Sequence, residues 1–172
     1  MAQVPRIVCL IGPESTGKTQ LARALAKHLG VKWTPEYARE YAEARGNQLT
    51  FDDVEPIARG QILAQGPRPE ALLVCDTDLI STIVYARHYY GRVPKWIFEE
   101  ARRRKADLYL LMDIDVPWQA DAARDSGGDA REKLFAEFRK TLDEFECNWT
   151  IISGNWQERF EKAVAAIQKE HA

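Results

Sequence analysis

Apolar and polar positions follow two patterns that alternate along the chain. Five short apolar runs have the length of buried strands, and between them apolar residues recur at the three- and four-residue spacing of helices. The predicted strands cover residues 6–11, 31–34, 71–75, 108–112 and 149–152. The predicted helices cover residues 20–29, 37–45, 52–65, 79–89, 94–105, 131–146 and 156–169. Strands that alternate with helices predict an α/β fold, a three-layer sandwich in which a parallel sheet carries helices on both faces.

The composition is that of an ordinary globular protein, and its 172 residues predict one domain over 1–172. A formal net charge of -2 gives no overall positive field, so we expect no nucleic-acid partner. No apolar run approaches the roughly 20 residues of a membrane span, so we expect no membrane partner. Cys9 and Cys75 lie inside apolar strands, and the three cysteines form no C-x-x-C pair. We therefore expect a cytoplasmic protein with buried, reduced thiols and no structural metal.

Residues 12–19 read Gly-Pro-Glu-Ser-Thr-Gly-Lys-Thr, the G-x-x-x-x-G-K-[ST] pattern of a P-loop between a predicted strand and a predicted helix. In such a loop, backbone N–H groups and the helix N-terminus surround a phosphate. Lys18 can reach the β- and γ-phosphates, and the Thr19 hydroxyl can bind Mg²⁺. The predicted nucleotide-binding residues are Gly12, Glu14, Ser15, Thr16, Gly17, Lys18 and Thr19. We expect ATP and Mg²⁺ as cofactors, since no guanine-reading Asn-Lys-x-Asp stretch is present.

Ligands of parallel α/β sheets bind beyond the carboxyl ends of the strands, so the acids that follow each strand are candidate functional residues. Asp76 ends the third strand, where a carboxylate can order Mg²⁺ and its waters; its alternative role is a helix N-cap. Asp78 is either that N-cap or a residue that holds a substrate hydroxyl, and it is the second candidate for a catalytic base.

Glu36 follows the second strand and is the first candidate for the base that accepts a proton from an attacking alcohol. Its alternative role is favourable charge in the first turn of a helix. Arg39, one turn further on, can bind a substrate oxygen or pair with Glu36. Tyr37 is a candidate for the wall of the substrate pocket.

Arg124 and Arg131 flank a polar, glycine-containing stretch, which predicts a lid over about 118–131 that brings guanidinium charge onto the transferred phosphoryl group. The alternative is a solvated loop. Trp118 follows a proline beyond the fourth strand and can stack on a planar substrate ring. Tyr85 and Tyr89 are weaker candidates for the same pocket, because tyrosines four residues apart on a helix more often pack together. Trp156 is expected to be a packing residue.

These motifs together resemble the ribosylnicotinamide kinase domain of bacterial NadR-type proteins. The resemblance rests on residues 12–19, on Glu-Tyr-Ala-Arg-Glu-Tyr at 36–41, on Asp-Thr-Asp at 76–78, on Asp-Ile-Asp-Val-Pro-Trp at 113–118 and on the two lid arginines. It implies ATP-dependent phosphorylation of the 5′-hydroxyl of nicotinamide riboside, a step of NAD synthesis. It also implies an adenine site near Asn155, and resemblance to P-loop kinases implies the strand order 2-3-1-4-5.

NadR-type proteins usually carry a nucleotidyltransferase domain before the kinase, so we expect these 172 residues to supply the kinase step alone. Two alternatives stay open on the sequence. One is a kinase for another nucleoside or for a vitamin alcohol. The other is a nucleotide-dependent ATPase switch, which has no need of acidic and aromatic residues after the second to fourth strands.

Overall fold

The computed structural model describes residues 5–116 and 129–170. Within these ranges five parallel strands form one sheet in the order β2-β3-β1-β4-β5. The strands are β1 (Ile7–Ile11), β2 (Lys32–Thr34), β3 (Leu73–Asp76), β4 (Leu108–Met112) and β5 (Trp149–Ile152). The parallel sheet and its strand order confirm the prediction.

Each predicted helix is present within a few residues of its expected bounds. The helices are α1 (Lys18–Leu29), α2 (Tyr37–Ala44), α3 (Val54–Gln65), α4 (Leu79–Tyr90), α5 (Lys95–Arg104), α6 (Asp129–Glu144) and α7 (Trp156–Glu170). A short 3₁₀ turn, Phe51–Asp53, precedes α3 and carries a capping box formed by Thr50 and Asp53. No helix in the described part of the chain is long and apolar enough to cross a membrane.

The core consists of two layers, one on each face of the sheet. On one face Ile7, Cys9 and Ile11 pack against residues of α3 to α6, and on the other Val8 and Leu10 pack against α1 and α7. Because β1 is covered on both sides, its sequence is a continuous apolar run rather than an alternation. Burial raises the pKa of the Cys9 thiol well above its usual value, as expected for a buried structural cysteine.

The position of β1 in the middle of the sheet aims the loop that follows it into the crevice at the strand ends. Leu10 of β1 pairs with Asp76 of β3, and the amide of Thr77 donates to the Leu10 carbonyl at 2.9 Å. Gly12 has a φ of 139°, and a Cβ there would lie 3.0 Å from the Met112 carbonyl oxygen. A glycine is therefore required at the first position of the loop.

Candidate active site

The P-loop wraps around its own lysine. Lys18 is the first residue of α1 and is 6% exposed, and its Nζ donates to the Pro13 carbonyl at 2.7 Å. The Thr16 hydroxyl donates to the same carbonyl at 2.8 Å. Ser15 and Gly17 have positive φ values, 58° and 82°, which turn the backbone into the concave loop that a phosphate needs. The ammonium group is thus held inside the loop.

The two residues predicted to hold a metal lie next to each other. The Thr19 hydroxyl donates to Oδ2 of Asp76 at 2.6 Å, which joins the start of α1 to the end of β3. Asp76 is fully buried. Both groups are hard oxygen donors of the kind that Mg²⁺ prefers.

The carboxylate of Asp78, by contrast, is hydrogen-bonded to other groups of the protein. It is the N-cap of α4, since its Oδ1 accepts from the Ile80 amide at 2.9 Å, and its Oδ2 accepts from the Tyr109 hydroxyl at 2.5 Å. Burial raises the pKa of Asp78 to about 6, although these hydrogen bonds act in the opposite direction. Of the two roles left open by the sequence, the structure shows the cap, and we do not assign Asp78 a role in catalysis.

Glu36 lies where two cavities meet. It precedes α2, is 7% exposed, and its Oε2 is 4.0 Å from Nε of Arg39. The larger cavity, about 740 Å³, is bounded by residues 15–20 of the P-loop region together with Arg39, Val116, Trp156 and Arg159. The smaller one, about 310 Å³, lies between α2, α3 and α4. Among the described residues, Glu36 is the one common to both linings.

The smaller cavity combines apolar and uncharged polar walls. Its lining includes Ala38, Ala42, Leu49, Val54, Ile57, Gln61, Ser81, Thr82, Tyr85, Tyr89 and Tyr90. The rings of Tyr85 and Tyr89 stack at 6.1 Å with an interplanar angle of 13°. The tyrosine pair, which the sequence favoured as packing, is thus also part of the cavity wall.

Glu14 connects the P-loop to this wall. It is 1% exposed, and its Oε2 accepts from the Tyr85 hydroxyl at 2.8 Å. A P-loop residue expected to face the nucleotide therefore also positions a tyrosine of the neighbouring cavity.

Two buried arginines brace the P-loop from outside. Arg131, in the first turn of α6, donates to the Val116 carbonyl at 2.7 Å and to the Ser15 carbonyl at 3.1 Å, and burial lowers its pKa. Arg159 of α7 donates to the carbonyls of Gly154 at 2.7 Å, Thr16 at 3.3 Å and Asp113 at 3.1 Å. Both guanidinium groups therefore lie beside the loop.

The sequence analysis missed Arg159, although a signal exists. Arg159 lies four residues before Ala163 and eight before Ile167, both of which are buried, so a charged residue occupies the apolar stripe of α7. A cation in such a stripe needs buried oxygen partners, and here the P-loop supplies one of them.

The remaining predicted residues have mixed outcomes. Asn155 caps α7, because its Oδ1 accepts from the Glu158 amide at 2.9 Å. Tyr37 lies half-buried against Gly60, where a Cβ would overlap its ring. The packing assignment of Trp156 is wrong, since this residue is 45% exposed and lines the larger cavity. Trp118 and Arg124, with most of the predicted lid, lie outside the described residues.

Replacing Arg159 with Met should lower the free energy of unfolding by about 2–4 kcal/mol, because the buried Thr16 carbonyl, two part-buried carbonyls and the Asp115 carboxylate lose their donor. Urea unfolding of both proteins measures the difference. Arg103→Met is the matched control, because that arginine lies at the surface, where its guanidinium group donates to the Glu100 carboxylate, and stability should hardly change. A loss as small for Arg159→Met as for the control would contradict a bracing role.

Comparison with known proteins relates this chain to one domain family and to NadR. A family model described as an AAA domain matches residues 7–159. The trifunctional NAD biosynthesis/regulator protein NadR of Escherichia coli is 28% identical over 173 residues, which covers 95% of this chain and 42% of that protein. The chain thus spans less than half the length of this curated relative.

Two solved NadR structures are similar over 98% of this chain and 50% of theirs. NadR in complex with NR has a TM-score of 0.73 at 27% identity. NadR in complex with NAD and AMP-PNP has a TM-score of 0.74 at 28% identity. These matches confirm the resemblance to NadR-type proteins that the motifs predicted.

Proposed function

The chain belongs to the AAA domain family, and from this membership and the geometry of its site we propose that it is an ATP-dependent kinase of nicotinamide riboside. The observation that carries the proposal is the position of Glu36, on the boundary between the larger cavity, called the P-loop cavity from here on, and the smaller cavity. A kinase needs a base at the point where the acceptor hydroxyl meets the γ-phosphate.

The P-loop cavity takes the triphosphate of ATP. Lys18 and the loop amides neutralise and position the phosphates. The oxygens of Thr19 and Asp76 would hold Mg²⁺, which would offset the negative charge that develops on the transferred group. Within the described residues no group of three or more His, Cys, Asp or Glu side chains is placed to hold a metal. Such sparse protein ligation suits Mg²⁺, which keeps several waters and takes one or two carboxylates beside a nucleotide.

The smaller cavity takes the nucleoside, with its 5′-hydroxyl directed at Glu36. The 5′-oxygen forms a bond to the γ-phosphorus as the bond from that phosphorus to the β–γ bridging oxygen breaks. The hydroxyl proton passes to the Glu36 carboxylate, and the electron pair of the broken bond leaves with ADP. The products are ADP and nicotinamide mononucleotide. Arg131, with Arg124 of the proposed lid, adds positive charge beside the transferred group.

Arg39 acts on the phosphate side rather than on the nucleoside ring. Its side chain lines the P-loop cavity and lies 4.0 Å from Glu36. Tyr37 supports the smaller cavity, called the acceptor cavity from here on, through its packing against Gly60. The contact with the nucleoside ring is made by Tyr85 and Tyr89.

Trp156 is the residue that best fits the adenine ring. An indole that is 45% exposed at the rim of the P-loop cavity offers a flat face to a base, next to the Asn155 region that the resemblance indicated. Trp156→Ala should raise the KM for ATP by about 10-fold or more, because base–aromatic stacking is lost. Steady-state kinetics measure this, and Trp156→Phe should restore most of the affinity.

Inhibition by inorganic tripolyphosphate distinguishes a loss of stacking on adenine from damage to the P-loop in Trp156→Ala. It carries no base, so its inhibition constant should be the same for wild-type protein and Trp156→Ala. A parallel loss of tripolyphosphate binding would mean that Trp156 supports the P-loop and does not contact adenine.

A direct assay tests the function. Purified protein with ATP and Mg²⁺ is incubated with nicotinamide riboside, thymidine, uridine, deoxyadenosine or no acceptor, and the products are separated by chromatography. Nicotinamide mononucleotide and ADP in equal amounts are expected with nicotinamide riboside. Turnover of another nucleoside, without turnover of nicotinamide riboside, would mean that this other nucleoside is the acceptor. ATP hydrolysis that no acceptor stimulates would favour an ATPase switch.

A further inference from the structure

Gln61 of α3 is a buried amide on the wall of the acceptor cavity. It is 3% exposed and lies on the same helix as Val54 and Ile57, which line the same cavity. Its Oε1 accepts from the Tyr37 amide at 3.1 Å, directly after Glu36 in the chain. The side chain therefore reaches toward the end of the cavity where the base lies.

The contact with Tyr37 defines which way the amide group points. A backbone N–H can be met only by the oxygen of the Gln61 side chain, so the NH₂ group must take the other position. There Nε2 is buried, and it has no hydrogen-bond partner among the residues that the structure describes. A buried donor of this kind costs free energy unless something accepts from it, and native proteins rarely leave one unmet.

We propose that Gln61 is a specificity-determining residue whose Nε2 donates a hydrogen bond to an oxygen of the acceptor nucleoside. This inference rests on the proposed function and adds to it the recognition of one atom. The oxygen belongs either to a ring substituent, such as a carboxamide, or to a ribose hydroxyl. The same donor disfavours acceptors that present an amino group at that point, because two donors would then face each other.

The surroundings of Gln61 suit a neutral oxygen rather than a phosphate or a carboxylate. Apart from Glu36, the described residues that line the cavity carry no formal charge. An anionic group would have to be buried there beside the Glu36 carboxylate, whose cationic neighbour, Arg39, lines the P-loop cavity instead. The site therefore recognises an uncharged oxygen by a single neutral donor.

Two substitutions and a set of acceptors test the proposal. Gln61→Glu keeps an oxygen for the Tyr37 amide and exchanges NH₂ for oxygen, whereas Gln61→Met removes both groups. Each should lower kcat/KM for nicotinamide riboside by about 10- to 100-fold and leave the KM for ATP unchanged. Gln65→Glu is the control, because Gln65 is buried one turn further along the same helix and should not alter the choice of acceptor.

Acceptors that lack one oxygen each identify the recognised atom. Pyridine riboside lacks the carboxamide, and the 2′- and 3′-deoxy analogues of nicotinamide riboside lack one hydroxyl each. With the analogue that lacks the contacted oxygen, wild-type protein and the Gln61 variants should have equal kcat/KM. An equal loss on every acceptor would overturn the proposal, since it would mean that Gln61 acts only by holding Tyr37.

The same data distinguish a failure of this inference from a failure of the proposed function. Failure of wild-type protein to phosphorylate nicotinamide riboside, with turnover of another nucleoside, removes the proposed acceptor but leaves Gln61 testable on that nucleoside and its deoxy analogues. Normal turnover of nicotinamide riboside by both Gln61 variants removes this inference and leaves the proposed function in place.

Discussion

A Glu36→Gln variant is expected to lose about 100- to 10,000-fold in kcat, with little change in the KM for ATP. Glutamine has nearly the same shape as glutamate but cannot take up a proton, so the 5′-oxygen would attack while still protonated. Because the P-loop is untouched, the nucleotide should bind as before. Rapid-quench or coupled assays of ADP formation with nicotinamide riboside measure the effect.

The matched control for this change is Glu43→Gln, which removes a carboxylate from an exposed position of α2, the helix that Glu36 precedes. It should retain full activity. The pH profile adds a second criterion, because the acidic limb of kcat/KM in wild-type protein should vanish in Glu36→Gln if Glu36 must be ionised. A loss of less than about 10-fold with an unchanged acidic limb would exclude Glu36 as the base.

Lys18→Met should lower kcat/KM for ATP by about 100- to 1,000-fold, because it removes the charge that lies inside the P-loop. The side chain of Lys18 is already folded into the loop, with Nζ 2.7 Å from the Pro13 carbonyl, so it needs little rearrangement to meet a phosphate. Methionine keeps most of the length of the side chain and fills the same space. Isothermal titration with a non-hydrolysable ATP analogue, together with steady-state kinetics, measures the loss.

Lys27→Met is the control on the same helix, at an exposed position in its last turn. It should leave both nucleotide affinity and turnover unchanged. Circular dichroism and thermal unfolding of Lys18→Met verify that the fold persists. A folded Lys18→Met protein with wild-type ATP affinity and turnover would contradict the assignment of the P-loop as the triphosphate site.

Much of the fold could be predicted because its determinants are local. The continuous apolar run at 7–11 identifies a strand covered on both faces, and Gly30 ends α1 in the left-handed conformation that glycine favours. The P-loop depends on consecutive backbone N–H groups, so one stretch of eight residues specifies it completely. The proximity of Thr19 and Asp76 could also be predicted, because Asp76 ends a strand and parallel strands end at one edge of the sheet.

The bracing of the loop could not be predicted in the same way. Arg159 and Thr16, which are 143 residues apart, meet because α7 packs on the same face of the sheet as α1. The apolar stripe of α7 predicts that Arg159 is buried, but it does not indicate which groups Arg159 contacts. Trp156 shows the reverse case, since an indole at a helix start resembles a packing residue until the cavity beside it is known.

The linear order of residues was sufficient for the elements, for the sheet and for the phosphate-binding loop, because each of these depends on neighbours in the chain and on the period of the apolar residues. The smaller cavity and the burial of the Gln61 amide beside it arose only when α2, α3 and α4 packed together. Such contacts depend on the distances between side chains far apart in the chain, and these distances exist only after the core has formed.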